Sequence, residues 1–420
     1  MEAESSGQSP AGPRLADLSL CWVLKQFGHY HHARLSAFAA RNRGRTLAVQ
    51  CTNEGAFKEF VFRPDGKQAY ELHTVLPGVA ADCVFGPALR DALRRKLDEL
   101  RPGVVCLPGW SNLAAAVSLQ WSLESGTPTV LFSESTAYDE PRAGWREAIK
   151  SRLVRLASAA LTGGKPHVEY AAALGLPRER IFIGCDVVDN RHFAAGADAA
   201  RSDAAALRTK HRLPERYLLA SGRFVPKKNF PGLLDAYARY RKAGAPGDWK
   251  LVILGDGPLR PTLEALCVKL GVAQDVLLPG FKSYDELPAF YGLASAFVHA
   301  STTEQWGLVV NEAMAAGLPV IVSARCGCAP DLVREGENGF TFDPADTSAL
   351  AAHMLRLARR ECDLEAMGRA SRRIIARWTP DTFSAGLVAA AGAALAAPRR
   401  RAGLADRALL GWLIRWRLRG

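Results

Sequence analysis

Two carboxylates, Glu304 and Glu312, stand eight positions apart in the stretch STTEQWGLVVNEAMAAGLPVIVS, Ser301–Ser323. The stretch reads as a loop, a helix and a buried strand, with Gly317 and Pro319 in the turn before the apolar run VIV. Glu304 falls in the loop and Glu312 about one and a half turns into the helix. The N–H groups around Trp306, Gly307 and Leu308 point out of the helix N-terminus and offer an anion, typically a phosphate, a site. A second set, Gly222, Arg223, Lys227 and Lys228, follows the apolar run LLAS. Cations at the end of a strand suit a diphosphate, which arginine can engage in bidentate fashion and lysine as a point charge. In a third, WKLVILGDGP, Gly255 and Gly257 allow close backbone approach at a strand end.

These residues need strands and helices to hold them, and the sequence supplies an alternation of both. LSLCWVL (Leu18–Leu24) reads as a first strand, KQFGHYHH as a loop, ARLSAFAARN as a helix and TLAVQCT as a second strand. PALRDALRRKLDEL, GVVCLPG, NLAAAVSLQWSLESG and TPTVLFSEST continue as helix, strand, helix and strand. That order predicts a doubly wound α/β domain whose ligands sit outside the C-terminal ends of the strands. Trp110 and Glu134 fall at such ends, and so does the loop holding Gly28, His29, His31 and His32. No G-x-G-x-x-G follows the first strand, so the dinucleotide fingerprint is absent. From Tyr217 a second alternation begins, which predicts a second α/β domain.

The chain has 420 residues, enough for two domains, and its 48% hydrophobic and 23% charged content is that of a globular protein. No apolar run reaches the length of a membrane-spanning helix. Residues 1–16 carry Glu2 and Glu4 and no apolar core, so they are expected to be a disordered leader rather than a signal peptide. Nine cysteines, mostly inside apparent strands and helices, fit buried thiols in a reducing compartment. Cys326 and Cys328 have no second Cys/His pair at zinc spacing, so no metal site is expected. The net charge is +12, and residues 398–420 hold seven arginines against one aspartate. That location favours phosphorylated substrates or an anionic membrane over nucleic acid.

Glu304-x7-Glu312 followed by A-M-A-x-G-x-P-V-I resembles the signature of retaining glycosyltransferases of family 4, also grouped as glycosyl transferases group 1. Gly222, Arg223 and Lys228 match that family's G-R-x-x-x-x-K, DVLLPGFK resembles its base-holding segment, and ENGFTFDPADTSALAAHM resembles its N-G-x-x-x-x-P-x-D stretch. The resemblance implies two Rossmann-like doubly wound domains facing across a cleft, the GT-B fold. The first, at 17–193, would face the acceptor and the second, at 212–377, the nucleotide-sugar donor. A linker at 194–211 would join them, and a crossover helix at 378–397 and a basic amphipathic tail at 398–420 would follow.

The resemblance implies Glu304, Arg223 and Lys228 as the catalytic set. Donor binding would fall to Gly222, Gly255, Gly257, Phe281, Lys282, Gly307, Leu308, Val309 and Glu312, with Glu312 on the ribose. Candidates facing the acceptor are Gly28, His29, Trp110 and Glu134. The family commonly carries a histidine where this chain has Ser133-Glu134-Ser135, so Glu134 either takes that place or pairs with a nearby arginine. His299 and Ala300 likewise replace a more usual apolar residue and proline.

Breaking a glycosidic bond to a nucleoside diphosphate leaves positive charge on the sugar and negative charge on the phosphate. No D-x-D motif is present to bring a divalent cation, so metal-free transfer to a glycan or lipid-linked acceptor is expected, with no cofactor. A sugar phosphorylase, a nucleotide-sugar epimerase or a non-catalytic membrane-docked scaffold are the alternatives. A cytoplasmic enzyme of bacterial cell-surface glycan synthesis is expected. Wound as a helix, the tail sets Leu409, Leu410, Trp412, Leu413, Ile414 and Trp416 opposite Arg407, Arg415 and Arg419, with Arg417 breaking the pattern, an arrangement suited to the inner face of an anionic membrane.

Overall fold

The computed structural model describes residues 18–54, 66–80, 85–244 and 249–417, so the expected leader lies outside the described residues. Strands rich in buried Val, Leu, Ile and Cys form two separate sheets, and every pairing is parallel. Near-continuous apolar strands are what a parallel sheet covered on both faces requires.

The first domain opens with β1 (Leu20–Leu24), α1 (His29–Ala39), β2 (Thr46–Gln50) and β3 (Glu71–Thr74). It continues through α2 (Gly86–Leu100), β4 (Val104–Pro108), α3 (Leu113–Ser125) and β5 (Thr129–Ser133). Then come α4 (Gly144–Leu156), β6 (Ala159–Thr162), α5 (Lys165–Ala173) and β7 (Ile181–Ile183). The sheet order is β3-β2-β1-β4-β5-β6-β7.

The second domain begins with α6 (Asn190–Ser202) and α7 (Ala204–His211). Next are β8 (Tyr217–Ser221), α8 (Phe230–Lys242), β9 (Lys250–Leu254), α9 (Arg260–Leu270), β10 (Val276–Leu277) and α10 (Leu287–Leu293). It ends with β11 (Ala296–His299), α11 (Leu308–Ala315), β12 (Val320–Ser323), α12 (Ala329–Leu332), β13 (Gly339–Phe342), α13 (Thr347–Ala358) and α14 (Leu364–Ile375). Its sheet order is β10-β9-β8-β11-β12-β13. The chain then returns to the first domain through α15 (Pro380–Ala396) and α16 (Leu404–Arg417).

Local chemistry sets several of these boundaries. The Asn112 side chain accepts the Ala115 N–H at 2.8 Å and starts α3, and Asp346 and Asp363 cap α13 and α14 in the same way. Gly126 ends α3 in the left-handed conformation.

Each sheet has a core on both faces. Leu35 and Phe38 of α1 join Phe383, Leu387 and Ala390 of α15 on one face of the first sheet. Leu93 and Leu97 of α2, Val117 of α3, and Leu410, Leu413 and Ile414 of α16 cover the other. Within the segment 378–397 lies α15, and it packs on α1 and the first sheet.

Three expectations are corrected. His29, His31 and His32 lie in the first turn of α1, not in a loop, because Gly28 caps the helix and its N–H donates to Nδ1 of His31 at 3.0 Å. Residues 194–211 are helical, and Ala197 and Ala200 are buried in the second domain's core beside Phe193, so they belong to that domain's packing. The tail's apolar side divides: Leu410, Leu413 and Ile414 are buried on the first domain, whereas Trp412 and Trp416 are exposed.

Candidate functional site at the interdomain cleft

Glu304 sits in the loop between β11 and α11, zipped to the loop after β12. Its N–H donates to the Arg325 carbonyl at 3.3 Å, its carbonyl accepts the Gly327 N–H at 3.0 Å, and the Cys328 N–H donates to the Trp306 carbonyl at 3.2 Å. A Cβ on Gly327 would lie 1.8 Å from the Gln305 carbonyl oxygen, so only glycine fits between the two loops. The Cys326-Gly327-Cys328 motif thus shapes the backbone around Glu304, and both thiols are buried.

The Glu304 carboxylate is ion-paired with Lys228, lies 3.4 Å from Lys227 Nζ and stands 3.7 Å from Nε2 of the buried His299. Burial opposes its charge, but the His299 ring and the Lys228 ammonium overcome this and hold the carboxyl well below the usual carboxylate range. Burial in turn lowers His299, which keeps the imidazole neutral. The sequence hinted at His299 only through its departure from the family pattern at the end of β11.

Both lysines come from the loop after β8. Gly255 and Gly257, at the end of β9, hold that loop close. A Cβ on Gly255, whose φ is +123°, would fall 2.0 Å from the Gly222 carbonyl oxygen, and one on Gly257 would fall 2.8 Å from that of Phe224. The glycines serve the seating of the Gly222–Phe224 backbone. Arg223 is exposed and makes no ion pair among the described residues. Gly307, at φ +108°, caps α11, and the first turn with Leu308 and Val309 leaves N–H groups without intrahelical acceptors beside Glu304.

Glu312 is 1% exposed. It accepts hydrogen bonds from the hydroxyl of Tyr291, at 2.6 Å, and from that of Tyr30, which reaches across from α1 of the other domain. Burial, opposed by those two hydroxyls, pushes Glu312 up to about 7. Beside it, His29 stacks on Tyr284 at 4.3 Å, and Tyr284 stacks on His192 at 4.2 Å. Lys282 turns away to lie over the Phe290 ring, 5.4 Å from its centroid, while Phe281 is half-buried in the same segment.

The two domains meet at several points across the cleft. Thr303 Oγ1 donates to the Asp139 carbonyl at 2.8 Å, Arg325 to that of Tyr138 at 2.7 Å, and Asn311 to that of Asp186 at 3.1 Å. His167 Nε2 is 2.8 Å from the Gln305 carbonyl oxygen.

On the first domain's side a cavity of about 660 Å³ opens at the C-terminal ends of β1, β4 and β5. Trp110 and Glu134 line it, while Gly28 and His29 are not among its walls: His29 is committed to the ring stack with Tyr284. His31 and Arg34 take their place. Burial and the Arg34 guanidinium push His31 down to about 3, so the ring is neutral. Glu134, Cys185 and Asp186 bring ligand atoms within 4.8 Å of one another, but Arg34 already stands 3.9 Å from Asp186.

Two parallel α/β domains facing across a cleft, with cationic loops on one side and a cavity on the other, are the GT-B architecture. HepE of Anabaena, solved in complex with UDP, superposes with a TM-score of 0.68 at 19% identity, covering 88% of this chain and 98% of that one. Residues 203–374, within the second domain, match the family described as glycosyl transferases group 1.

Among relatives, alpha-D-kanosaminyltransferase of Streptomyces kanamyceticus is 30% identical over 232 residues, 55% of this chain and 57% of the relative. GDP-mannose-dependent alpha-(1-6)-phosphatidylinositol monomannoside mannosyltransferase of Mycolicibacterium smegmatis is 32% identical over 204 residues, 47% of this chain and 50% of the relative. The chain spans about half the length of the curated relatives it matches.

Proposed function

We propose that the protein transfers a sugar from a nucleotide-sugar donor to a glycan or lipid-linked acceptor, with retention of configuration and without a metal ion. The observation that carries this reading is Glu304, a carboxylate kept charged by Lys228 and His299 inside a glycosyl transferases group 1 domain. On donor binding the diphosphate draws Lys228 away from Glu304, and Arg223 joins it from solvent. The first turn of α11 adds its N–H groups to the same phosphates. The released carboxylate of Glu304 then faces the donor sugar and stabilises the positive charge that grows there as the bond to phosphate breaks. Glu312 meets the ribose once Tyr30 yields.

The arginine and lysine loop takes the part that a metal plays in D-x-D enzymes. The acceptor enters from the cavity holding Trp110 and Glu134, and the closed cleft excludes water so that transfer outruns hydrolysis. The place of action is the cytoplasm, on the inner face of the membrane, in the synthesis of bacterial cell-surface glycans. The relatives named above are a kanosaminyltransferase and a phosphatidylinositol monomannoside mannosyltransferase, which supports the transferase class.

The test is a thermal-shift screen of UDP-, GDP- and ADP-sugars with and without EDTA, because a ligand that binds only the folded state raises the midpoint. A shift with one nucleotide family, insensitive to EDTA and lost in Arg223→Ala, is expected. No shift with any of them overturns the reading.

A further inference from the structure

The most exposed tryptophans among the described residues are Trp145 (64%), Trp412 (49%) and Trp416 (60%), and all three line the cavity that holds Glu134. Trp145 comes from α4, and the other two come from α16, where their rings stack 6.0 Å apart. Leu410, Leu413 and Ile414 fix α16 to the first domain, so its tryptophans are presented at a set place. Large exposed apolar groups gathered at one mouth mark a surface that something covers.

The cavity also carries cations. Arg34 is 3% exposed, and its Nη2 has no hydrogen-bond partner among the described residues. Its neighbour Asp186 stands 3.9 Å away, beyond hydrogen-bond reach, and is pushed above the usual carboxylate range by burial and by Glu134 against the pull of Arg34. Lys25 and Arg146 line the cavity too, and neither forms an ion pair among the described residues. Gln305, next to Glu304 in the chain, closes the same cavity from the other domain.

We propose that α16 and Trp145 form an acceptor subsite for the apolar chain of a lipid phosphate, with Arg34, Lys25 and Arg146 holding the phosphate and the sugar to be extended facing Gln305. This rests on the transfer reading above and names its acceptor class. The tail is then a wall of the acceptor site and more than a surface anchor. Tryptophan faces suit an alkyl chain, and guanidinium groups suit the phosphate.

The test is calorimetric titration of the full chain with n-decyl phosphate below its micelle concentration, with decanol and inorganic phosphate as controls. One-to-one binding of decyl phosphate is expected, with both controls weaker by about tenfold or more. The exposed pair Trp412→Ala/Trp416→Ala should weaken it by about tenfold, as should Arg146→Ala, while circular dichroism and the nucleotide-sugar shift stay unchanged. Equal affinity in wild type and the double variant overturns the proposal. Binding confined to phosphatidylcholine–phosphatidylglycerol vesicles, with none to the monomeric probe, overturns it in favour of a surface anchor. If decyl phosphate binds as expected while every nucleotide sugar fails, the subsite stands and the transfer reading falls.

Discussion

Replacing Glu312 by glutamine isolates the cost of burying one carboxyl. Its folded-state pKa lies at about 7 against an ordinary value of 4.5, raised by burial. Below about pH 4.5 the group is neutral in both folded and unfolded chains and costs nothing. Between about pH 4.5 and 7 the unfolded chain ionises first, so the stability this group leaves in place at low pH is lost as pH rises. About 2.5 units at about 1.36 kcal/mol each gives a loss of about 3 kcal/mol, complete above about pH 7.

In Glu312→Gln the carbonyl can still accept from one tyrosine hydroxyl while the amide donates to the other, so both contacts survive. Urea unfolding of both proteins from about pH 5 to 8 should therefore give curves that converge in acid and separate toward alkali, with the variant more stable by about 3 kcal/mol. The other titrating groups cancel in the difference. Parallel curves over that range would refute the argument, for Glu312 would then be ionised or solvated and the Tyr30 contact open in solution.

Further outcomes follow from the same geometry. Lys228→Ala should lower kcat by about a hundredfold and move the acid limb of the pH–rate profile upward, because Glu304 loses a cation that depresses it; an unmoved limb would separate the two residues. Arg223→Ala should leave urea stability within about 0.5 kcal/mol of wild type while weakening donor binding in calorimetry, as befits an exposed side chain with no ion pair among the described residues. Gly255→Ala places a methyl against the Gly222 carbonyl at positive φ and should cost about 2 kcal/mol or more in urea unfolding; a neutral result would mean that the loop relaxes freely.

Much of this was legible in the residues. Apolar runs such as LCWVL and KLVIL mark buried parallel strands without ambiguity, and both appear where the pattern puts them. The Glu304 loop and the cations after β8 are local motifs, and the fold brings them together as their order implies. What escaped was set by contacts distant in sequence. Glu71–Thr74 is a half-exposed edge strand with little apolar signal. The helical state of residues 194–211 comes from packing against α10, which an Ala/Asp-rich composition does not announce. Tyr30 meets Glu312 across 282 positions, and no spacing rule reaches that far. The division of α16 into a buried leucine side and an exposed tryptophan side depends on where α3 lies.

The return of α15 and α16 to the first domain has a consequence for synthesis. The second domain, Asn190 to Ile375, leaves the ribosome complete, while the first still lacks the two helices that cover parts of both faces of its sheet. The expected folding order is thus the reverse of chain order: the half made first waits, with apolar strands partly uncovered, for the half made last. A chain stopped before Pro380 should yield a protease-resistant fragment from the second domain and little from the first, whereas equal protection of the two would show that the first domain closes on its own.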